Sequence, residues 1–220
     1  IRDREVVGEA AERTARGMGT CVGRPLAGVE VRILELSDEV LESAALERNL
    51  GPGEIGEIVV TGPSVTKQYH ELPEATRRAK IVDKGKTWHR MGDLGYFDDE
   101  GRLWFCGRKA ERVDTGRAVF YSDCCEGVFN RMPGVFRTAL IAWRNEGQTH
   151  PAIVVEPVSG AFPKTKRARE RFIESLKRIG SESEATRDIG FFFFEKAFPV
   201  DVRHNAKIHR LTLAKRFSKR

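Results

Sequence analysis

The stretch TWHRMGDLGYFDDEGRLWFCGR, residues 87–108, constrains the fold of this 220-residue chain more than any other part. Two short apolar runs, DLGYF and RLWFCG, are separated by the turn formers DDEG, and that order predicts a β-hairpin. Upstream, VEVRILEL at 29–36 alternates apolar and charged residues with the period of a half-buried strand. EIGEIVVTG at 54–62, entered through the turn GPG, reads as a second strand, and 37–50 between them reads as an insertion. Beyond Arg108 the pattern restarts. SDCCEGVFNRM, with Ser122 as N-cap, reads as a helix, FRTALIAW and AIVVEPV as strands, 165–179 as a helix, and FFFFEK as another strand. A β-rich unit is therefore expected over 1–108 and an α+β unit over 109–220, with the boundary near Lys109 and Ala110.

Charge divides the same way. Residues 1–108 hold 16 Lys and Arg against 19 Asp and Glu, a balance of −3, whereas 109–220 hold 22 against 13, or +9. The second unit is thus expected to face something anionic, such as phosphate, nucleic acid or an acidic partner. A hydrophobic share of 40% and a charged share of 32% are those of a globular protein. With no apolar run of bilayer length and no charged-then-apolar leader, a cytoplasmic location is expected. The four cysteines, Cys21, Cys106, Cys124 and Cys125, form no CxxC and read as free thiols. His204 and His209, five apart, do not share a helix face, so no metal site of protein ligands is expected.

Three segments have a plain structural reading. KTKRARERFIESLKR spaces Phe172, Ile173, Leu176 and Ile179 as an amphipathic helix rather than as a nucleic-acid footprint. FFFF at 191–194 reads as a strand buried on both faces. The tail AKRFSKR reads as a frayed, solvated terminus.

Chemistry is carried by a few residues. In MGD, Asp93 can accept hydrogen bonds from both hydroxyls of a ribose, and Gly92 allows close backbone approach. Arg108, at the end of the hairpin, can bond ribose and phosphate oxygens. Near the end of the chain, PVDVRHNAKIHR sets Lys207 behind the small neighbours Asn205 and Ala206, which favour a turn projecting a long, flexible ammonium.

The order of these pieces resembles the adenylating superfamily of acyl-CoA synthetases, luciferases and nonribosomal peptide adenylation domains. GTCVGRPLAGVEVRI, GEIVVTGPSVTKQYHELPEAT, HRMGDLGYFDDEGRLWFCGRKAERV and the terminal lysine motif follow one another as that superfamily's text does. The resemblance implies the end of a large adenylating domain, its β-rich subdomain, followed by a small mobile α+β lid that carries the lysine loop. It implies ATP with Mg²⁺ as cosubstrate, with Asp93 on the ribose hydroxyls, Arg108 on ribose and phosphate, and Lys207 as the catalytic lysine reaching the α-phosphate and carboxylate. As a carboxylate attacks the α-phosphorus, negative charge builds on the phosphoryl oxygens, and a positioned ammonium stabilises that state more than the ground state.

Departures narrow the resemblance. The hinge position, usually Asp or Lys, is Ala110. In the following glycine loop, VDTGRAVFYSDCCE, Gly116 and Glu126 match, Asp114 stands where lysine is common, and Arg117 replaces a glycine. That loop helps build the pantetheine tunnel of the ligases, so its divergence weakens a CoA-ligase reading. PVDVRHNAKI is most similar to the β-lactone synthetases of bacterial long-chain olefin synthesis. This implies a 2-alkyl-3-hydroxy fatty acid substrate and closure to a β-lactone without CoA. It also implies the pathway's thiolase-like, reductase and β-lactone decarboxylase enzymes as partners, with no nucleic acid. No SSGTTGxPK-like or Walker loop occurs in the chain, so it is expected to be the C-terminal part of a larger enzyme and inactive alone. Two other readings stand beside it. One is a long-chain acyl-CoA ligase. The other is a non-catalytic basic module whose salt-sensitive nucleic-acid binding would survive loss of Lys207.

Overall fold

In the computed structural model, which describes residues 4–201 and 204–218, the chain divides into two compact units between Ala110 and Glu111. Residues 21–110 form one, and the chain through Thr20 joins the part from Glu111 onward in the other. The N-terminal stretch, grouped by sequence with the first unit, is a helix, α1 (Arg4–Ala15), whose contacts lie in the second. Ser183 Oγ donates to Arg16 O at 2.7 Å, and Thr20 Oγ1 donates to Asp123 Oδ2 at 2.5 Å.

The first unit is built on a six-stranded sheet. Its strands are β1 (Thr20–Gly23), β2 (Glu30–Leu34), β3 (Gly56–Thr61), β4 (Lys80–Asp83), β5 (Lys86–Phe97) and β6 (Leu103–Arg108). They run in the order β1-β6-β5-β3-β2, with β4 paired to β5. The short helix α2 (Pro73–Ala79) begins with proline, which suits a first turn that has no use for that N–H. The segment 37–50 does more than interrupt. Its 3-10 turn, Ser43–Glu47, buries Ala45 and Leu46 against Leu34, Val59, Ile81 and Trp88, and so closes the apolar face of the sheet.

The second unit begins with a small hairpin, β7 (Val113–Asp114) and β8 (Val119–Phe120), and continues with α3 (Ser122–Asn130), β9 (Val135–Asn145) and β10 (Gln148–Pro157). After these come α4 (Lys166–Gly180), β11 (Phe191–Phe194), β12 (Val200–Asp201), β13 (His204–Ile208) and α5 (Arg210–Phe217). The main sheet has the order β11-β10-β9, with β9 antiparallel and β11 parallel to β10.

Alternate residues of a strand face opposite ways, so strands that are apolar at every position need cover on both sides. On one face Leu140, Ile153, Val155 and Phe192 pack with Phe129 and Leu176 of α3 and α4. On the other, Ala139, Ile141, Ala152 and Val154 pack with Phe198, Ile208, Leu213 and Phe217. Fully burying such side chains contributes about 1.5–3 kcal/mol each relative to exposure. The FFFF run obeys this geometry: Phe192 meets Phe129 edge-on, Phe194 meets Phe172, and Phe193 stacks on Phe217. Phe191 is 38% exposed beside Trp143, Phe192 is buried, and Phe193 and Phe194 are half-buried, so the strand is covered on both faces but less fully than expected.

The basic helix is amphipathic as expected. Thr165 caps it by accepting from Ala168 N at 3.1 Å, and Leu176 is fully buried. Two local expectations need correction. Ser122 is not an N-cap; Tyr121 holds that position in extended conformation without a side-chain cap bond, and Ser122 is the first helical residue and is buried. The tail is not frayed through Phe217, because α5 buries Leu213 and Phe217 and the Phe217 carbonyl accepts from Trp143 Nε1 at 3.3 Å. The last two residues of that tail lie outside the described residues. Among the described residues no helix is long and apolar enough to cross a membrane.

Candidate active site

The hairpin β5–β6 positions two of the three candidate side chains. Its turn is organised by Asp98, whose Oδ1 accepts from Glu100 N and Arg102 N at 3.1 and 2.8 Å. Its Oδ2 accepts from Arg102 Nε and Trp104 Nε1 at 2.7 and 2.8 Å. Burial alone would raise the Asp98 carboxyl, but these bonds overcome it and hold it at about 2. With the turn fixed, Gly95 lies against β6 so closely that a Cβ there would come within 2.3 Å of Trp104 O; only glycine permits the pairing. The register that results sets Asp93 directly opposite Arg108.

Asp93 Oδ1 is buried and accepts no well-aligned hydrogen bond from any described residue, while Arg108 Nη1 lies 2.9 Å from it as an ion pair. Burial raises the Asp93 carboxyl above the usual range, and Arg108 pulls it back down. A buried oxygen with spare acceptor capacity fits a donor such as a ribose hydroxyl. The Arg108 side chain is 58% exposed, so its guanidinium keeps donors for another anion. Gly92, at φ 68°, takes the left-handed backbone that carries the chain into Asp93.

The arginine two residues before Gly92 has a different task, which the sequence did not reveal. Arg90 is buried with Glu57 and pairs with it through Nη2 at 2.7 Å and Nε at 3.2 Å. Its remaining donors reach the carbonyls of Glu39, Ser37 and Arg78. Lys109 Nζ also donates to Glu57 at 3.0 Å and to Ser37 O. Two recognised motifs, GEI and RMGD, are thus joined by a buried ion cluster that holds the chain up to Lys109. Ala110, expected at the hinge, follows as the exposed middle residue of a 3-10 turn, Lys109–Glu111, at the division between the units.

Lys207 belongs to the second unit. It is exposed and lies on β13, not in the turn expected for it; β13 pairs with β12 through Val200↔Ile208 and Asp201↔His204. Strand pairing requires extended backbone there. The side chains of His204, Asn205 and Ala206 lie outside what is described, and with them the expectation that His204 is no ligand. The glycine loop is a tight turn satisfied by its own side chains: Asp114 Oδ1 accepts from Gly116 N at 2.8 Å, and Thr115 Oγ1 accepts from Ala118 N at 3.1 Å. Asp114 therefore has a local use in the place of a lysine.

The sequence reading missed Arg210, three residues after Lys207. Its guanidinium forks onto Glu126 and reaches Glu111. Burial raises the Glu126 carboxyl and the Arg210 bonds lower it; for Arg210, burial lowers and the two glutamates raise. The available signal was a charge pattern: Glu126 already matched a motif and required a cation. None of the four cysteines forms a disulfide.

No protein-family model matches the chain. It is 44% identical over 214 residues to an olefin β-lactone synthetase of Xanthomonas campestris pv. campestris, covering 93% of this chain and 37% of that protein. An olefin β-lactone synthetase of Stenotrophomonas maltophilia is 42% identical over 218 residues, covering 95% of this chain and 39% of that protein. The chain thus spans little more than a third of the length of these curated relatives. Among solved structures, the O-succinylbenzoate coenzyme A synthetase of Bacillus subtilis, in complex with ATP and magnesium ion, superposes with a TM-score of 0.66 at 23% identity. That match covers 88% of this chain and 35% of that one, and it shows a shared fold.

Proposed function

We propose that this chain works as part of an enzyme that activates a β-hydroxy acid with ATP and closes it to a β-lactone, because nearly all of it is homologous to part of the olefin β-lactone synthetases. In this reading Asp93 accepts the ribose hydroxyls of ATP and Arg108 donates to ribose and phosphate. Lys207 places its ammonium on the α-phosphate as an oxygen of the substrate carboxylate forms the bond to phosphorus and pyrophosphate leaves, with Mg²⁺ as the nucleotide's counterion. The substrate's own β-hydroxyl then attacks the acyl carbon and gives up its proton. The carbon–oxygen bond to AMP breaks, and a four-membered lactone and AMP result. Tethering the nucleophile to the electrophile replaces an encounter with a second substrate.

The carrying observation is identity of 42–44% to lactone synthetases over 93–95% of this chain; the fold alone, shared with a coenzyme A synthetase, does not separate lactone from thioester. The 2-alkyl-3-hydroxy fatty acid, the ATP requirement and the olefin-pathway partners belong to the same proposal.

The test incubates the full-length protein with ATP, Mg²⁺ and a 2-alkyl-3-hydroxy acid, with and without CoA, and identifies products by mass. Lactone and AMP are expected at equal rates in both. A CoA thioester formed only when CoA is present assigns the acyl-CoA ligase reading instead.

A further inference from the structure

Arg210 is the first residue of α5, where the helix dipole disfavours a cation. Helix stability would favour an acid at this position, so another demand selects the arginine. The side chain is 17% exposed and is held by two carboxylates from distant parts of the same unit. Nε and Nη2 donate to Glu126 Oε1 and Oε2 at 2.7 and 2.6 Å, and Nη1 donates to Glu111 Oε2 at 2.9 Å. Glu126 is tied in turn, since its Oε1 also accepts from Leu140 N of β9 at 2.8 Å. A planar fork on a carboxylate fixes direction as well as distance, which a lysine in its place would not do.

Lys207 lies just ahead of this fork. Ile208 is buried against the α5 face of the main sheet, and His209 N donates to Pro199 O at 2.9 Å. Packing, a backbone bond and a bidentate ion pair thus pin the three residues after Lys207, while Lys207 itself stays exposed. A flexible ammonium is aimed best from a fixed root, because a misplacement of about 1 Å can lower a rate by about a hundredfold.

We propose that Arg210, clamped by Glu126 and Glu111, is a positioning residue for Lys207, fixing the strand from which the ammonium serves adenylate formation. This rests on the role given to Lys207 above. Glu126 comes from α3 and Glu111 immediately follows Ala110, so the clamp makes the lysine strand, the helix and the start of the second unit one rigid piece.

The test is a double-mutant cycle in the full-length protein, reading acyl-AMP formation by pyrophosphate release, with folding followed by thermal melting. Arg210→Lys is expected to lower kcat about a hundredfold with the KM for ATP unchanged. On a Lys207→Ala background the same change is expected to cost less than about twofold, because there is no ammonium left to misplace. Lactone closure from supplied acyl-adenylate is expected to be unaffected. Glu126→Gln is run through the same cycle, so a folding defect in one variant leaves the comparison intact. Equal losses on both backgrounds, or no loss in either variant, overturn the proposal while leaving Lys207's role standing. If Lys207→Ala alone forms adenylate at the parent rate, the role of Lys207 falls and this proposal with it.

Discussion

The two units prepare their candidate side chains by opposite means. In residues 21–110 the pair Asp93 and Arg108 is set by sheet register: a turn locked by Asp98 and a contact that admits only Gly95 put one residue opposite the other. In the second unit Lys207 sits on a two-stranded ribbon, a form marginal by itself, and its place is secured by two residues just beyond it, buried Ile208 and clamped Arg210. The first arrangement is preformed and half-buried, as suits holding a ligand. The second is exposed and rooted, as suits a group that acts when charge develops.

Perturbations in order of size can break this contrast. Lys207→Ala carries the largest expected effect. Acyl-AMP formation by the full-length protein should fall about a hundred- to thousandfold, the loss typical of one removed transition-state donor. The melting temperature should hold, because the side chain is exposed. An unchanged rate of pyrophosphate release would show that the second unit contributes no charge to the first step.

Asp93→Asn comes next. If Asp93 has its proposed role on the ribose hydroxyls, the change should weaken ATP binding about ten- to a hundredfold, from the roughly 1.5–3 kcal/mol of a charged hydrogen bond. Stability should rise or hold, since Asp93 is raised by burial. A raised carboxyl has stability that is present below the unfolded pKa and lost as pH rises through the folded one. Equilibrium ATP titration with a parallel melt checks both signs, and unaltered ATP affinity would make the missing hydrogen bond of Asp93 Oδ1 a packing accident.

Asp98→Asn should act most weakly on chemistry and most clearly on acid stability. Asp98 is lowered from 3.8 to about 2, so its stabilisation is full above pH 3.8 and disappears as pH falls through 2. The variant should be less stable at neutral pH. Between pH 4 and 2 its unfolding should take up as much as one proton fewer, measured from the pH dependence of denaturant midpoints. An identical acid slope in parent and variant would remove Asp98 as the keeper of the Asp93–Arg108 register.

The second unit's core was legible in the chain because period two and period 3.6 announce themselves. FRTALIAW, AIVVEPV and FFFF read as strands, and Phe172, Ile173, Leu176 and Ile179 as one helix face, and all pack into the core of this unit. The tail failed as a prediction because AKRFSKR holds one large apolar residue, Phe217, and a single residue shows no period until the sheet face it covers is in place. Ser122 failed because capping depends on where the backbone turns helical, which Tyr121 and not a side-chain preference decides here.

The sequence by itself determined the identity and order of the motifs, the strand alternation, the hairpin with its DDEG turn, and the candidate residues Asp93, Arg108 and Lys207. These rest on local patterns, whose periods and spacings survive in one dimension. Tertiary structure alone decided that Arg90 is a buried scaffold partner of Glu57 while Asp93 Oδ1 is buried without a hydrogen bond, that Lys207 lies on a strand, and that Arg210 grips Glu126 across 84 residues of chain. An ion pair carries no sequence period. Whether a charge is a surface ornament, a clamp or a binding group depends on which opposite charge the fold brings within about 3 Å and how much water it leaves there.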